Sequence, residues 1–174
     1  MINMTLTPNA LHHKWRYTIK FCGIDGREIT YENSGTFVNI CQERSFQIIR
    51  SALLTGEWPR SDRGYIPNYL DDNGRRSEAL LDAVNFYEYA IRLNIVRILA
   101  NRCEDAPDLA DKVVKKAEII AKTHNMYGVK DWNNTKRSLR EHKKKGRSLE
   151  TDYMWIIGKY KLYTFLDFSY EPVP

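Results

Sequence analysis

The sequence predicts an α+β fold, predominantly helical, with an N-terminal β-hairpin or small antiparallel sheet packed on four to five helices. Three observations predict it. Apolar and polar residues alternate from Trp15 to Phe21, apolar residues recur at helical spacing from Ser77 to Asn101, and residues 57–74 between them are rich in Gly, Pro, Asp and Asn.

In WRYTIKF, Trp15, Tyr17, Ile19 and Phe21 alternate with Arg16, Thr18 and Lys20. A period of two puts four apolar side chains on one face of a strand. Asp25-Gly26 supplies a turn that tolerates positive φ, and Ile29 and Tyr31 then alternate with Glu28, Thr30 and Glu32. Residues 1–14 read as a lead-in tail. Asn33-Ser34-Gly35 reads as a break, and TFVNIC after it as a third strand or the start of a helix. A hairpin alone is marginal in water, so its apolar face needs a cover. The nearest cover starts at Ser45 as N-cap, carries Phe46, Ile49 and Leu53 on one stripe, and stops near Gly56.

The second half reads as helical. Leu80, Val84, Tyr87, Ile91, Ile95 and Ile98 step by three or four, widened by Leu81, Phe86, Ala90, Leu93, Val96 and Leu99, as in a central core helix. DAPD at 105–108 starts another helix, with Pro107 in its first turn. It runs to about Asn125 and buries Leu109, Val113, Ala117, Ile120 and His124, with Gly128 just beyond. Asn133 or Asn134 caps the next. Leu149, Tyr153, Ile156, Tyr160 and Tyr163 favour a helix to about Phe165, although the aromatic-rich YKLYTFLDFSY is the alternative strand. The organisation expected is a tail at 1–14, a hairpin-plus-helix subdomain at 15–56, the connection at 57–74 and a helical subdomain at 75–174, together one compact domain.

A chain of 174 residues with 43% hydrophobic and 28% charged residues can bury its own core. Cys22, Cys41 and Cys103 are odd in number and widely spaced, which argues against a disulfide framework or an all-cysteine zinc site. With no secretory-signal or membrane-span pattern read from the sequence, the expectation is a cytoplasmic protein without a membrane partner.

Catalytic and cofactor signatures are missing from the pattern. The four histidines, His12, His13, His124 and His142, show no metal-ligand spacing, and no phosphate-cradling glycine loop or GxSxG elbow occurs. No cofactor is expected. Asp25, Glu28 and Glu32 with Lys20 suggest a Mg²⁺-dependent nuclease, but the residue two after Glu28 is Thr30 rather than Lys. A solvated hairpin face explains them better.

The charge pattern is more informative. The chain carries +5, and KRSLREHKKKGR, residues 136–147, carries +6, so the remaining 162 residues sum to −1. The net charge is therefore one local feature. Lys136, Arg137, Arg140, Lys143, Lys144, Lys145 and Arg147 are the candidate phosphate contacts, with Lys112, Lys115 and Lys116 of the preceding helix as auxiliaries. Leu139 is the one strongly apolar residue between Trp132 and Leu149. Like charges at i,i+4 also destabilise an isolated helix, which phosphate would relieve.

The expectation is a non-enzymatic protein that contacts DNA or RNA phosphates, alone or within a nucleoprotein complex. No base-reading motif accompanies the run, so contacts should be weakly sequence-specific. The rival reading is a regulator or inhibitor of a nucleic-acid-processing machine that docks on an acidic protein surface. A viral or mobile-element protein opposing a host defence complex would be of that kind.

Overall fold

A computed structural model describes residues 12–55, 78–124 and 128–173, with side chains described over 14–34, 45–55, 84–123 and 129–173. The described residues form β1 (His12–Gly23), β2 (Glu28–Val38), α1 (Asn39–Thr55), α2 (Glu78–Asp105), α3 (Pro107–His124), α4 (Gly128–Lys144), α5 (Glu150–Lys159) and β3 (Tyr163–Pro172). The architecture is α+β and predominantly helical, as the periodicities predict. The connection expected at 57–74 lies outside the described residues.

The hairpin forms where the alternation places it. Trp15, Tyr17, Ile19 and Phe21 are all 5% exposed or less. The turn closes when Gly26 N–H donates to Gly23 O, with Gly26 at φ +73. β1 starts at His12, inside the stretch read as a lead-in. Nor does β2 break at Asn33-Ser34-Gly35. The Asn33 amide donates to the Tyr17 hydroxyl across the ladder at 3.0 Å, and its Oδ1 accepts Ser34 N–H at 2.8 Å. Turn-forming polar groups are thus used within the sheet. The strand continues through Thr36–Val38, and Asn39 opens α1.

The sheet order is β2-β1-β3, so the third strand comes from the C-terminal end of the chain. Val173 N–H donates to Lys14 O at 2.7 Å and Arg16 pairs with Glu171 at 3.2 Å, an antiparallel register. This corrects the helix expected to Phe165. α5 ends at Lys159 because Lys161 adopts φ +51, and Lys161 and Leu162 N–H close back on Gly158 and Ile157 O. That is a Schellman stop made without glycine, with buried Leu162 and Ile157 at its hydrophobic positions. YTFLDFSY is then free to be strand.

Two compact units divide the described chain. The first holds β1 to Lys20, β2 from Ile29, α1, α2 to Ile91 and β3 from Phe165; the second holds Phe21–Glu28 and Arg92–Thr164. The first unit is centred on Phe46 of α1, fully buried, with the rings of Trp15, Tyr17, Tyr87, Phe168 and Tyr170 all 5.3–5.9 Å away. Ser45 is not the cap expected: it is buried within α1, which starts six residues earlier. Gln42, Glu43 and Arg44 are good helix formers, so nothing stops the helix there.

In the second unit, α3, α4 and α5 pack on one another. Ile95 and Leu99 of α2, Leu109, Val113 and Ala117 of α3, and Tyr153 and Ile156 of α5 are buried. Ile120 is half-buried, and the His124 side chain lies outside the described ones. Phe86, expected to widen the α2 stripe, is 63% exposed, because it sits about 100° around the helix from Tyr87. The hairpin turn is tied within this unit by Arg102, whose guanidinium donates to Asp25 Oδ2 at 2.6 Å. Partial burial raises the Asp25 carboxyl, but Arg27 N–H and Arg102 outweigh it and hold it below the usual carboxylate range.

Candidate nucleic-acid interface

α4 carries the basic run, and it starts at Gly128 rather than at Asn133 or Asn134. The added first turn changes its anchoring. It brings Trp132 onto the helix, and Trp132 is fully buried, its ring 5.9 Å from that of Tyr160. Thr135, Lys136, Ser138, Leu139 and His142 are half-buried on the same side. Leu139 is therefore not the sole anchor.

Polar contacts secure both ends of this side. Lys136 Nζ donates to Glu118 Oε1 of α3 at 3.3 Å, and Lys122 meets the same carboxylate at 3.2 Å. Hydrogen bonds from Lys122 and Lys136 hold the Glu118 carboxyl below its ordinary value. His142 Nδ1 lies 2.5 Å from Asp152 Oδ2 of α5, so His142 is not surrounded by cations alone. Lys159 of α5 pairs with Asp131. These contacts, and basic residues in the last turn facing the negative end of the helix dipole, relieve part of the like-charge repulsion internally.

The helix stops at Lys144 by a second Schellman turn. Gly146 N–H donates to Lys143 O, Arg147 N–H donates to His142 O, and Gly146 has φ +67. Arg147 therefore does not continue the Lys136–Arg140–Lys143 stripe. The segment after the turn is held to α2: Glu104 Oε1 accepts Ser148 Oγ at 2.6 Å and Leu149 N–H at 2.5 Å.

At about 100° per residue, Lys143, Lys136, Arg140, Lys144, Arg137 and Lys130 occupy one arc of about 140° on α4. The arc runs from the α3 seam across the solvent face, with Glu141 at its far edge. Arg137, Arg140, Lys143 and Lys144 are exposed, as are Lys145 and Arg147 beyond the turn. Among the described residues none of these six has an ion-pair partner, whereas Lys136 has one. Lys130 belongs to the face although it precedes the run; it was missed because the helix was expected to start later.

The auxiliaries divide. Lys112, Lys115 and Lys116 are all exposed. Lys115 lies about 60° around α3 from Glu118, the residue that meets Lys136 of α4. Lys112 and Lys116 lie about 120° and 160° away, so they do not extend the α4 face.

Two of the three hairpin carboxylates have other partners. Asp25 is engaged by Arg102, and Glu32 accepts the Thr18 hydroxyl at 3.5 Å. Among the described residues no three His, Cys, Asp or Glu side chains converge as metal ligands. No described helix is long and apolar enough to cross a membrane. In comparison with known proteins, no family model, curated protein or solved structure matches this chain.

Proposed function

We propose that this chain is a basic nucleic-acid-associated protein whose α4 face contacts DNA or RNA phosphates, alone or within a nucleoprotein complex. One observation carries the reading. Arg137, Arg140, Lys143 and Lys144 stand exposed and without described ion-pair partners on a helix anchored in its first turns by buried Trp132. A rigid helix presents its charges in a constant array, so little backbone ordering is left for binding. Lys145, Arg147, Lys130 and Lys115 lie where they would extend the contact, and Lys136 contributes less because Glu118 already neutralises it.

Such contacts position a polyanion without reading its bases. Binding should be tight at low salt and weaken steeply as salt rises, because each neutralised phosphate releases condensed counterion. Four contacts give a slope of log K against log salt of about −3.6 on duplex DNA and about −2.8 on a single strand. Absence of binding to either polymer at low salt would remove the reading. A stoichiometric protein partner that survives nuclease treatment would favour the regulator alternative instead.

A further inference from the structure

Between α4 and α5 lies an open cleft of about 340 Å³ that the phosphate-contact reading does not use. Asp131, Asn134, Thr135 and Ser138 of α4 line it, with Asp152 and Trp155 of α5. The volume is at the small end of the range of small-molecule sites, roughly 300–1,000 Å³.

Trp155 is 49% exposed, unusual for so large an apolar ring. One face of the indole is covered: Lys159 Nζ lies 3.9 Å from the ring centroid, on a side chain only 11% exposed. The same ammonium pairs with Asp131 of the lining, and the indole surface that remains exposed is what a flat partner would cover. The rest of the lining is carboxylate, hydroxyl and amide, and no Lys or Arg lines it. Asp131 is already paired with Lys159 and Asp152 with His142, so the Asn134 amide and the Thr135 and Ser138 hydroxyls are the groups that would hydrogen-bond a base.

The rim adds a second feature. Lys130, Arg137 and Lys144 are exposed and seven residues apart, a row with steps of about 10.5 Å along α4. Arg137 immediately precedes Ser138 of the cleft. A half-exposed indole on α5 thus stands across a polar recess from α4, whose neighbouring face carries the cationic row. In a duplex the bases are stacked and paired and cannot enter such a recess, whereas an unpaired base can.

We propose that the α4–α5 cleft receives an unpaired nucleobase of a single-stranded nucleic acid, stacked on Trp155, while Lys130, Arg137 and Lys144 hold its phosphates. This rests on the phosphate-contact reading and narrows the ligand from nucleic acid in general to a single strand.

The test is titration of the full chain with a labelled single strand of about twelve nucleotides and with a duplex of equal length, at one low salt concentration. The wild-type protein should bind the single strand more tightly. Trp155→Ala should weaken single-strand binding about tenfold, the effect of removing one stacked base, and leave duplex binding unchanged. Ser138→Leu, which fills the cleft from the α4 side and leaves Trp155 in place, should show the same selective effect. Trp155→Phe should retain most of the affinity. Arg137→Gln with Lys144→Gln should weaken both polymers.

Equal wild-type affinity for the two polymers would overturn the proposal. So would single-strand binding unaffected in folded Trp155→Ala and Ser138→Leu proteins. If the Arg137/Lys144 variant alone weakens binding, the phosphate reading stands and the base cleft falls. If the wild-type protein binds neither polymer, both fall.

Discussion

Replacing Trp132 by Ala tests whether α4 is anchored as described. A buried tryptophan removes roughly 200 Å² from water, worth about 5 kcal/mol at about 25 cal/mol per Å². The Trp132 Nε1 is buried without a hydrogen-bond partner, which offsets that gain by about 2 kcal/mol. The net cost of Trp132→Ala is then about 3 kcal/mol, the low end of large aromatic truncations. Trp132→Phe keeps most of the apolar contact and removes the unpartnered N–H, so it should cost about 1 kcal/mol or less. Urea unfolding followed by far-ultraviolet circular dichroism measures both. With an m-value of about 2 kcal/mol/M, the Ala variant should shift the midpoint by about 1.5 M and the Phe variant by about 0.5 M or less. A shift below about 0.5 M for Ala, or equal shifts for Ala and Phe, would refute the packing argument.

Asp25→Asn should cost about 1.5–3 kcal/mol at neutral pH, because it leaves the mostly buried Arg102 guanidinium without its charged partner. The Asp25 carboxyl is held below its usual range, so the pair's contribution is full above the ordinary value of about 3.9. It is lost as pH falls through the lower folded-state value, and the gap between wild-type and variant melting temperatures should close there. Gly146→Ala should destabilise by about 1 kcal/mol and speed amide exchange at Arg147, since Gly146 adopts φ +67 and its Schellman turn would be strained. Cys103 is 2% exposed and burial pushes its thiol up to about 11, so alkylation at pH 8 should leave it unlabelled until denaturant is added, as peptide mass mapping would show.

The parts of this fold legible in the sequence are those made by local pattern. Alternation from Trp15 to Phe21 and the Asp25-Gly26 turn specify the hairpin, and Pro107 marks the start of α3. The errors arose where a local signal was overridden. Gly128 looks like a helix terminator but opens α4, and that offset concealed both Trp132 as an anchor and Lys130 as a member of the basic face. α5 ends at Lys159 in a turn made by Lys161 without glycine, so the aromatic residues after it could be continued in helical register. Asn33-Ser34-Gly35 carries turn chemistry that is used within the sheet instead.

The basic face itself was readable, because charge density needs no tertiary information. Its pairing was not. That Glu118 neutralises Lys136 and that Asp152 meets His142 both depend on how three helices pack. The cleft was invisible for the same reason. Its lining comes from two helices, and Trp155 is one more aromatic in a segment whose neighbours Tyr153 and Ile156 are core.

The most direct measurement of the central claim is the salt dependence of duplex binding for the wild-type protein and for a variant with Arg137, Arg140, Lys143 and Lys144 all changed to Gln. For every phosphate that the variant no longer neutralises, the slope of log K against log salt should flatten by about 0.9. The account predicts a slope that flattens by up to about 3.6, the share of those four side chains, in a variant that unfolds at the same urea concentration as the wild type. An unchanged slope in that folded variant would contradict it.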